Sequence, residues 1–440
     1  MLKFWIHCAL VTLFTFLLMG GLYQVSQLRI FQAFDPIGQA IGDIELSDIA
    51  FSQIREGEPK PDENVTIVNI GYLTRGEIGD QLRNIIKYKP KVIGLDIIFS
   101  CPVRDSINCP QAFDFEQNFK FHSAIQEAED KGIKVVMAQK LHQTKGLVEE
   151  YGDVAIYDSI EHSDDFLRLN SAEGFVNLDT DASHQEDLKL CRQFNPMVEV
   201  NGKPEYAFSV KMAMLFDSTK AWKFLKRENA KEVINYRGNT PDFYGATAGN
   251  YSGRYQFLDA HQALDSTSFT EDMIKDKVVV FGFHGNDITD RSWEDKFFTP
   301  LNVNYAGRSR PDMYGVVVHA NAVSMIIEED YVDSLPLWQT VIISIIVVLL
   351  TSALFFKIEE HMPLWFDLLS ILIQLAIFVL FSVVMLLAFS YFSLKMDFTL
   401  TLAAAALVGT CFELYYGGFM RFYEYLQNKV ISKVSKGNKV

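Results

Sequence analysis

Apolar and polar positions follow two different rhythms along this chain. Phe4 to Leu22 is an almost unbroken apolar run. Three more follow, from Pro336 to Phe356, Leu364 to Phe389 and Phe398 to Gly418. Runs of roughly 20 residues with few charges are long enough to cross a bilayer as helices. The pattern predicts four transmembrane helices, one N-terminal and three C-terminal.

Between the first and second runs the apolar stretches shorten and alternate between strand-like and helical spacing. Val65 to Ile70 (VTIVNI) is β-branched and reads as a strand, while Ile78, Leu82, Ile85 and Ile86 recur at helical spacing between Gly76 and Tyr88. The stretch KPKVIGLDIIFS, Lys89 to Ser100, holds a second strand from Val92 to Phe99 with one charge inside it, Asp96. Strand, helix, strand at this length is a βαβ unit and implies a parallel sheet. The alternation continues with a helix over Phe115 to Lys131 and a strand over Ile133 to Ala138. Gly174 to Leu178 reads as a strand and Glu205 to Phe216 as a helix. Strands over Val233 to Tyr236 and Lys277 to Gly282 precede a last helix, Ala320 to Ile327. The segment from Ile30 to Pro61 reads as a juxtamembrane helix and a loop. The fold expected is an α/β domain with a largely parallel sheet flanked by helices, carried on four transmembrane helices. Its parts are an anchor (1–29), the α/β domain (30–335), a three-helix membrane region (336–418) and a basic tail (419–440).

Charge changes this picture in two ways. The formal net charge is −15, and the acid is concentrated between Ile30 and Leu335. Such a domain is a poor nucleic-acid binder, because neutralising phosphates requires clustered Lys and Arg. The excess of base falls at the end, with Arg421, Lys429, Lys433, Lys436 and Lys439 against Glu424. Basic residues beside spans mark the cytoplasmic side. With four spans and Lys3 before the first, both termini are expected in the cytoplasm and the large domain across the membrane. No A-x-A-like site follows the first run, which therefore reads as an uncleaved anchor.

Five cysteines add little chemistry. Cys8 and Cys411 lie in spans and read as small hydrophobes. Cys101 and Cys109 flank a short loop and are a candidate disulfide in an oxidising compartment, with Cys191 able to compete for either partner. No pattern supports zinc.

In order along the chain, KVIGLDIIF (Lys91 to Phe99), EGFVNLDTD (Glu173 to Asp181), INYRG (Ile234 to Gly238), KDKVVVFG (Lys275 to Gly282) and YGVVVHANAVSMII (Tyr314 to Ile327) resemble the CHASE2 sensor domain. That domain is an extracytoplasmic module of bacterial signalling receptors. The order of one span, a long domain and three spans resembles the family as well. The chain departs at Ala182-Ser183, where the family has Gly after its Asp-x-Asp turn, and Arg192 takes the following basic position across a longer gap. The resemblance implies a multi-pass protein of the bacterial inner membrane with a periplasmic or extracellular sensory domain. CHASE2 receptors carry a cytoplasmic kinase, cyclase or phosphatase. The roughly 20 residues after the last span are too few for a catalytic domain, so the expected output lies on another polypeptide.

Candidate chemistry is sparse. Asp96, His319 and Asn321 are polar residues beside buried segments, and clefts at the carboxyl ends of parallel strands commonly bind ligands. The competing reading is that Asp96 and His319 satisfy buried backbone groups and hold loops together. Asp179 and Asp181 are weak candidates for Ca²⁺, with Ser183, Glu186 and Asp187 nearby, against the plainer reading of an Asp turn. Ser100 and Ser324 lack a nucleophile signature, so no enzyme activity and no cofactor is expected. In the membrane, His7 and Glu413 lie at similar depth, and a contact between them competes with Arg421 reaching Glu413. Ala405 and Gly409 mark a close-packing face, and Phe422, Leu426, Val430 and Val434 an amphipathic tail for lipid or a partner helix. The leading expectation is a sensor relaying an unknown small ligand or envelope protein outside to a separate membrane or cytoplasmic partner. The alternative is a non-enzymatic accessory or structural subunit of an envelope complex. A periplasmic enzyme comes third.

Overall fold

The computed structural model of the protein describes residues 2–26, 48, 51, 59–100, 109–144, 157–168, 171–178, 190–303 and 310–420. The chain divides into two compact units, one made of Met1–Ala50 with Asp333–Val440 and the other of Phe51–Val332.

The first unit contains four helices long and apolar enough to cross a membrane, counted among the described residues. They are α1 (Leu2–Ser26), α7 (Leu337–His361), α8 (Phe366–Phe392) and α9 (Thr399–Glu413), the last continuing as a π-helical turn, Leu414–Met420. Val11, Val348, Phe355, Ala404, Val408 and Phe412 form their shared apolar core. Phe412 stacks on Phe366 with ring centroids 5.0 Å apart, and Phe355 meets both edge-on. Ser344 and Thr401 share a buried hydrogen bond of 2.7 Å, which satisfies two polar groups where no water competes. A Cβ on Gly409 would lie 2.4 Å from Nε2 of Gln374, so the small residue here lets α8 and α9 close on each other.

In the second unit the sheet has seven strands among the described residues. Chain order gives β1 (Val65–Asn69), β2 (Val92–Leu95), β3 (Lys134–His142), β4 (Ser159–Glu161), β5 (Ala172–Phe175), β6 (Gln256–Leu258) and β7 (Val278–Gly282). In space they lie β6-β1-β7-β2-β3-β4, with β5 also on β3. Every pairing is parallel except β3 with β4, so the sheet is mixed.

Four longer helices cover it. On one face are α2 (Arg75–Ile86) and α3 (Phe115–Asp130). A capping box starts α2, with Thr74 and Glu77 each bonding the other's backbone N–H, and the Asp114 side chain caps α3. On the other face lie α4 (Phe208–Phe216) and α6 (Gly315–Glu328), with α5 (Ser218–Leu225) beside them.

Strand periodicity divides the residues of the sheet between these faces. Val68, Ile93, Leu95, Val135, Val279 and Phe281 join Ile78, Leu82, Ile85 and Phe121 in one apolar cluster under α2 and α3. The intervening residues, among them Asn69, Gly94 and Gly282, look the other way. Gly174 and Gly282 sit under α4 and α6. A Cβ would lie 2.7 Å from Cα of Phe208 at Gly174, and 2.7 Å from Cβ of Val316 at Gly282.

Several elements differ from expectation. The strand expected from Val92 to Phe99 ends at Leu95, and Asp96 stands just past it. Phe99 is apolar because it closes the cluster against Phe121, ring centroids 4.9 Å apart, and not because it is in the ladder. Helix α6 begins at Gly315, five residues before the expected start at Ala320, so both His319 and Asn321 are helical. Its Val316-Val317-Val318 run looks strand-like in isolation, yet the helix is buried from Gly315 to Ile327 and packing overrides propensity. The expected helix from Glu205 starts only at Phe208, because Lys203–Tyr206 pairs with Met197–Val200 in a hairpin. The strand expected over Val233 to Tyr236 shortens to Glu232–Val233. Most of the expected juxtamembrane segment, and the basic tail after Met420, lie outside the described residues.

Candidate functional site

The carboxyl ends of β1 and β7 are drawn together by one residue. Asn69, fully buried at the end of β1, donates to the Asp259 carboxylate (2.9 Å) and the Gly285 carbonyl (3.1 Å). Its side-chain oxygen accepts from the N–H groups of Gly71 (2.8 Å) and His284 (2.9 Å). The loop leaving β7 is thereby fixed to the loop leaving β1.

Asp96 lies beside this junction. Its backbone N–H donates to Phe281 at 2.8 Å, and its Cβ borders Gly282. The carboxyl makes no hydrogen bond among the described residues. Burial raises its pKa to about 8, and repulsion from Asp295 adds to the shift. His319 is buried on α6 with its ring edge-on to Phe208 at 5.5 Å; burial lowers its pKa to about 4, partly offset by a hydrogen bond to the Val176 backbone. Asn321 is fully buried. Its oxygen accepts from the N–H groups of Arg237 (2.8 Å) and Gly238 (3.2 Å), and its NH₂ donates to the carbonyls of Gly238 and Val317, both at 2.9 Å. Every polar atom of Asn321 is thus committed to backbone, which makes it a clamp between α6 and the Arg237-Gly238 turn. Asp96, His319 and Asn321 share the α4/α6 side of the sheet, and none of them lines the cavity over His284 or the open groove beside Glu161.

The concave site lies next to them. A cavity of about 40 Å³ opens between the segment after Asn239, the loop after β7 and the segment from Arg310 to Tyr314. Two of the loops expected to meet at the sheet edge, after Gly282 and before His319, do line it. The loop after Phe99 does not. His284 forms the floor, buried between the rings of Phe257 (4.5 Å) and Tyr314 (4.2 Å), with Nε2 2.7 Å from the Thr240 hydroxyl. Burial holds its pKa down near 3, so the ring is neutral. Among the described residues, Nδ1 of His284 and the Tyr314 hydroxyl are buried with no well-formed hydrogen bond, although the Ser292 hydroxyl lies close enough to the Tyr314 oxygen to oppose the rise in its pKa. Such atoms are uncommon in a folded protein and call for an explanation. Gly285 makes the arrangement possible: its φ is +80°, and a Cβ there would lie 2.6 Å from the Tyr314 hydroxyl. Burial raises the Tyr314 pKa, so that hydroxyl keeps its proton. Asp312, buried under the cavity, has its pKa raised to about 7 by desolvation, against hydrogen bonds from Thr299 and Asn302.

A second, open groove lies at the far side of the sheet and includes Ser100, His142, Glu161, Asp164 and Arg168. His142 meets Glu161 at 2.8 Å, and Ser100 bonds the same carboxylate. Acyl transfer by a serine needs the imidazole against the hydroxyl. Here the carboxylate stands between them. No group of three or more His, Cys, Asp and Glu arranged to hold a metal occurs among the described residues. Asp179 and Asp181 lie outside those residues, as does Cys101. Cys109 is disulfide-bonded, whereas Cys8, Cys191 and Cys411 are thiols.

In the helical unit, Nδ1 of His7 is 2.7 Å from the Tyr415 hydroxyl. The hydrogen bond of His7 thus goes to the residue two positions after Glu413, whose own side chain is exposed on the surface of that unit. Arg421, the other expected partner of Glu413, lies outside the described residues.

The residues that build the cavity escaped sequence reasoning. Tyr244, His284, Lys296, Arg310 and Tyr314 come from three separate segments with no periodicity to connect them. Their one signal is the interleaving of aromatic and basic residues in the polar loop from His284 to Arg310.

No curated protein and no solved structure matches the chain. The family of the CHASE2 domain matches residues 37–354, well over half of the sequence. With its mixed sheet and flanking helices, and with four apolar helices in the same chain, the protein belongs to the CHASE2 domain family, a family of sensory extracellular domains.

Proposed function

We propose that the protein is a non-enzymatic membrane sensor. Its α/β domain lies in the periplasm, or outside the cell, and binds a ligand in the cavity above His284. The four helices relay the change to an output carried by a separate polypeptide. The observation that carries this reading is the occurrence of a CHASE2 domain and four helices long and apolar enough to cross a membrane in one chain. The placement of the cavity supports it, because ligands of open α/β sheets bind beyond the carboxyl ends of the strands. Orientation is supported by the basic residues after Met420 and by Lys3. A ligand can drive such a relay only through different affinity for two states of the domain.

The test is purification of the full chain in mild detergent, with identification of what comes with it by mass spectrometry. The expected companion carries a kinase, cyclase or phosphatase domain. Stoichiometric recovery of structural envelope proteins alone would instead identify an accessory subunit.

A further inference from the structure

The cavity above His284 is bordered by three acids and three bases, but the two sets are differently engaged. Asp242 accepts from the N–H groups of Tyr244 (2.9 Å) and Thr247 (2.8 Å). Asp290 accepts from those of Ser292 (2.7 Å) and Asn286 (2.6 Å). Asp312 accepts from the Thr299 N–H (2.9 Å) and hydroxyl (2.7 Å). Both oxygens of each carboxylate are turned into the protein's own loops.

The bases are tied more loosely: Lys296 Nζ donates to the Asp290 backbone carbonyl (3.2 Å) and Arg291 Nε to the Tyr244 hydroxyl (3.2 Å). Among the described residues Arg291, Lys296 and Arg310 form no ion pair. Arg291 and Arg310 lie over the Tyr244 ring, 5.2 and 5.8 Å from its centroid, and Lys296 lies over the Tyr314 ring at 4.5 Å. Burial lowers the Lys296 pKa; Asp290 and Asp242 oppose that shift, and the charge of Arg310 adds a smaller push downward. Lys296 and Arg310 line the same cavity, and an anion entering it would meet both charges. The Tyr314 hydroxyl, buried beside the Ser292 hydroxyl that can donate to it, has its own O–H as a donor at the same place. At the rim, Phe243 and Trp293 expose 63% and 53% of their surface. A cavity of about 40 Å³ holds a few water molecules or one carboxylate-sized group.

Building on the sensory reading of this cavity, we propose that it takes a small organic anion. The charged group sits between Lys296 and Arg310 and accepts from the Tyr314 hydroxyl, and the apolar body rests against Phe243 and Trp293. A carboxylate and a phosphate monoester satisfy the same contacts.

Titration of the full chain in detergent, by calorimetry and tryptophan fluorescence, tests this with sodium benzoate, phenyl phosphate, benzyl alcohol and inorganic phosphate as probes. At least one of the two aromatic anions should bind about ten-fold or more tightly than benzyl alcohol, which has the same body without the charge. The better of the two identifies the headgroup. Arg310→Ala, at an exposed position where folding is not at stake, should weaken that binding about ten-fold, and 0.5 M salt should weaken it too. Equal binding of benzyl alcohol would overturn the anion assignment and leave the cavity as a ligand site. Inorganic phosphate binding as tightly as phenyl phosphate would overturn the role given to Phe243 and Trp293. If no probe binds, the proposal fails. The sensory reading then stands or falls separately, on the companion found by copurification.

Discussion

The two faces of the sheet are built from the same strands and do different work. Under α2 and α3 most of the buried residues are apolar, with Arg75, Gln81 and Asn118 as buried polar exceptions on the helices, and Phe99 and Phe121 close the cluster at its edge. Under α4 and α6 the same strands present Gly94, Gly174 and Gly282, with Asn69, Asp96, His319 and Asn321 close by. The first face is stabilised by burial of apolar area and by close packing. The second carries buried polar groups, of which Asn69 and Asn321 are hydrogen-bonded to neighbouring segments, and it runs at its carboxyl end into the cavity above His284. A sheet of this kind can separate stability from recognition by assigning one to each face.

That contrast can be broken in several ways. Asn321→Ala should have the largest effect, because it removes the acceptor of the Arg237 and Gly238 N–H groups and the side-chain donor to the Gly238 carbonyl, while the Val317 carbonyl keeps its bond within the helix. Each buried group left unsatisfied costs about 1–3 kcal/mol, so a total of roughly 4 kcal/mol is expected. Chemical unfolding of the full chain followed by tryptophan fluorescence measures it; a loss under 1 kcal/mol would mean that the polar face is not held as described. Leu82→Ala, in the apolar cluster, should cost about 3 kcal/mol through lost burial and a cavity, without altering ligand affinity. Gly282→Ala forces a methyl group against Val316, and overpacking of this kind costs roughly 1–3 kcal/mol. If it folds with unchanged stability, the close approach of α6 to β7 is wrong.

The effects of pH carry opposite signs on the one face. The folded-state pKa of Asp96 is raised to about 8, so the folded protein holds that proton more tightly than the unfolded chain does. Stability is therefore lost as pH rises from about 4 to about 8, and Asp312, raised to about 7, acts the same way. Asp96→Asn should gain on the wild type steadily across that window. The pKa of His319 is lowered to about 4, so the unfolded chain takes up the proton first and stability is lost as pH falls from about 6.5 to about 4. His319→Gln should gain on the wild type in that acid direction. Melting temperatures measured between pH 4 and pH 8 check both, and parallel curves for the two variants would contradict the burial assigned to these groups.

Much of the apolar face was legible in the sequence and little of the polar one. The helical spacing of Ile78, Leu82, Ile85 and Ile86 and the β-branched runs at Val65 and Val278 report local periodicity, which one segment can display alone. So do the four apolar spans. The end of β2 at Leu95 was hidden, because Ile97, Ile98 and Phe99 are apolar for tertiary reasons. The start of α6 was hidden by three consecutive valines that complete burial makes acceptable in a helix. The cavity was hidden most completely: His284, Lys296, Arg310 and Tyr314 acquire their meaning only when Asn69 and Gly285 bring their loops together. The resemblance carried by KVIGLDIIF and its companions reached the family, but those motifs mark the scaffold and not the residues around the cavity.

The central claim is that the polar side of this domain receives the signal and the apolar side only supports it. The most direct test compares Tyr244→Ala, at the cavity, with Ile85→Val, in the apolar cluster, at matched amounts of full-length protein in cells. The readout is the phosphorylation or nucleotide turnover of the copurifying output protein. The account predicts that the response is lost with Tyr244→Ala and kept with Ile85→Val, although the latter costs roughly 1 kcal/mol of stability. A response that survives Tyr244→Ala, or that tracks stability in both variants, would contradict it.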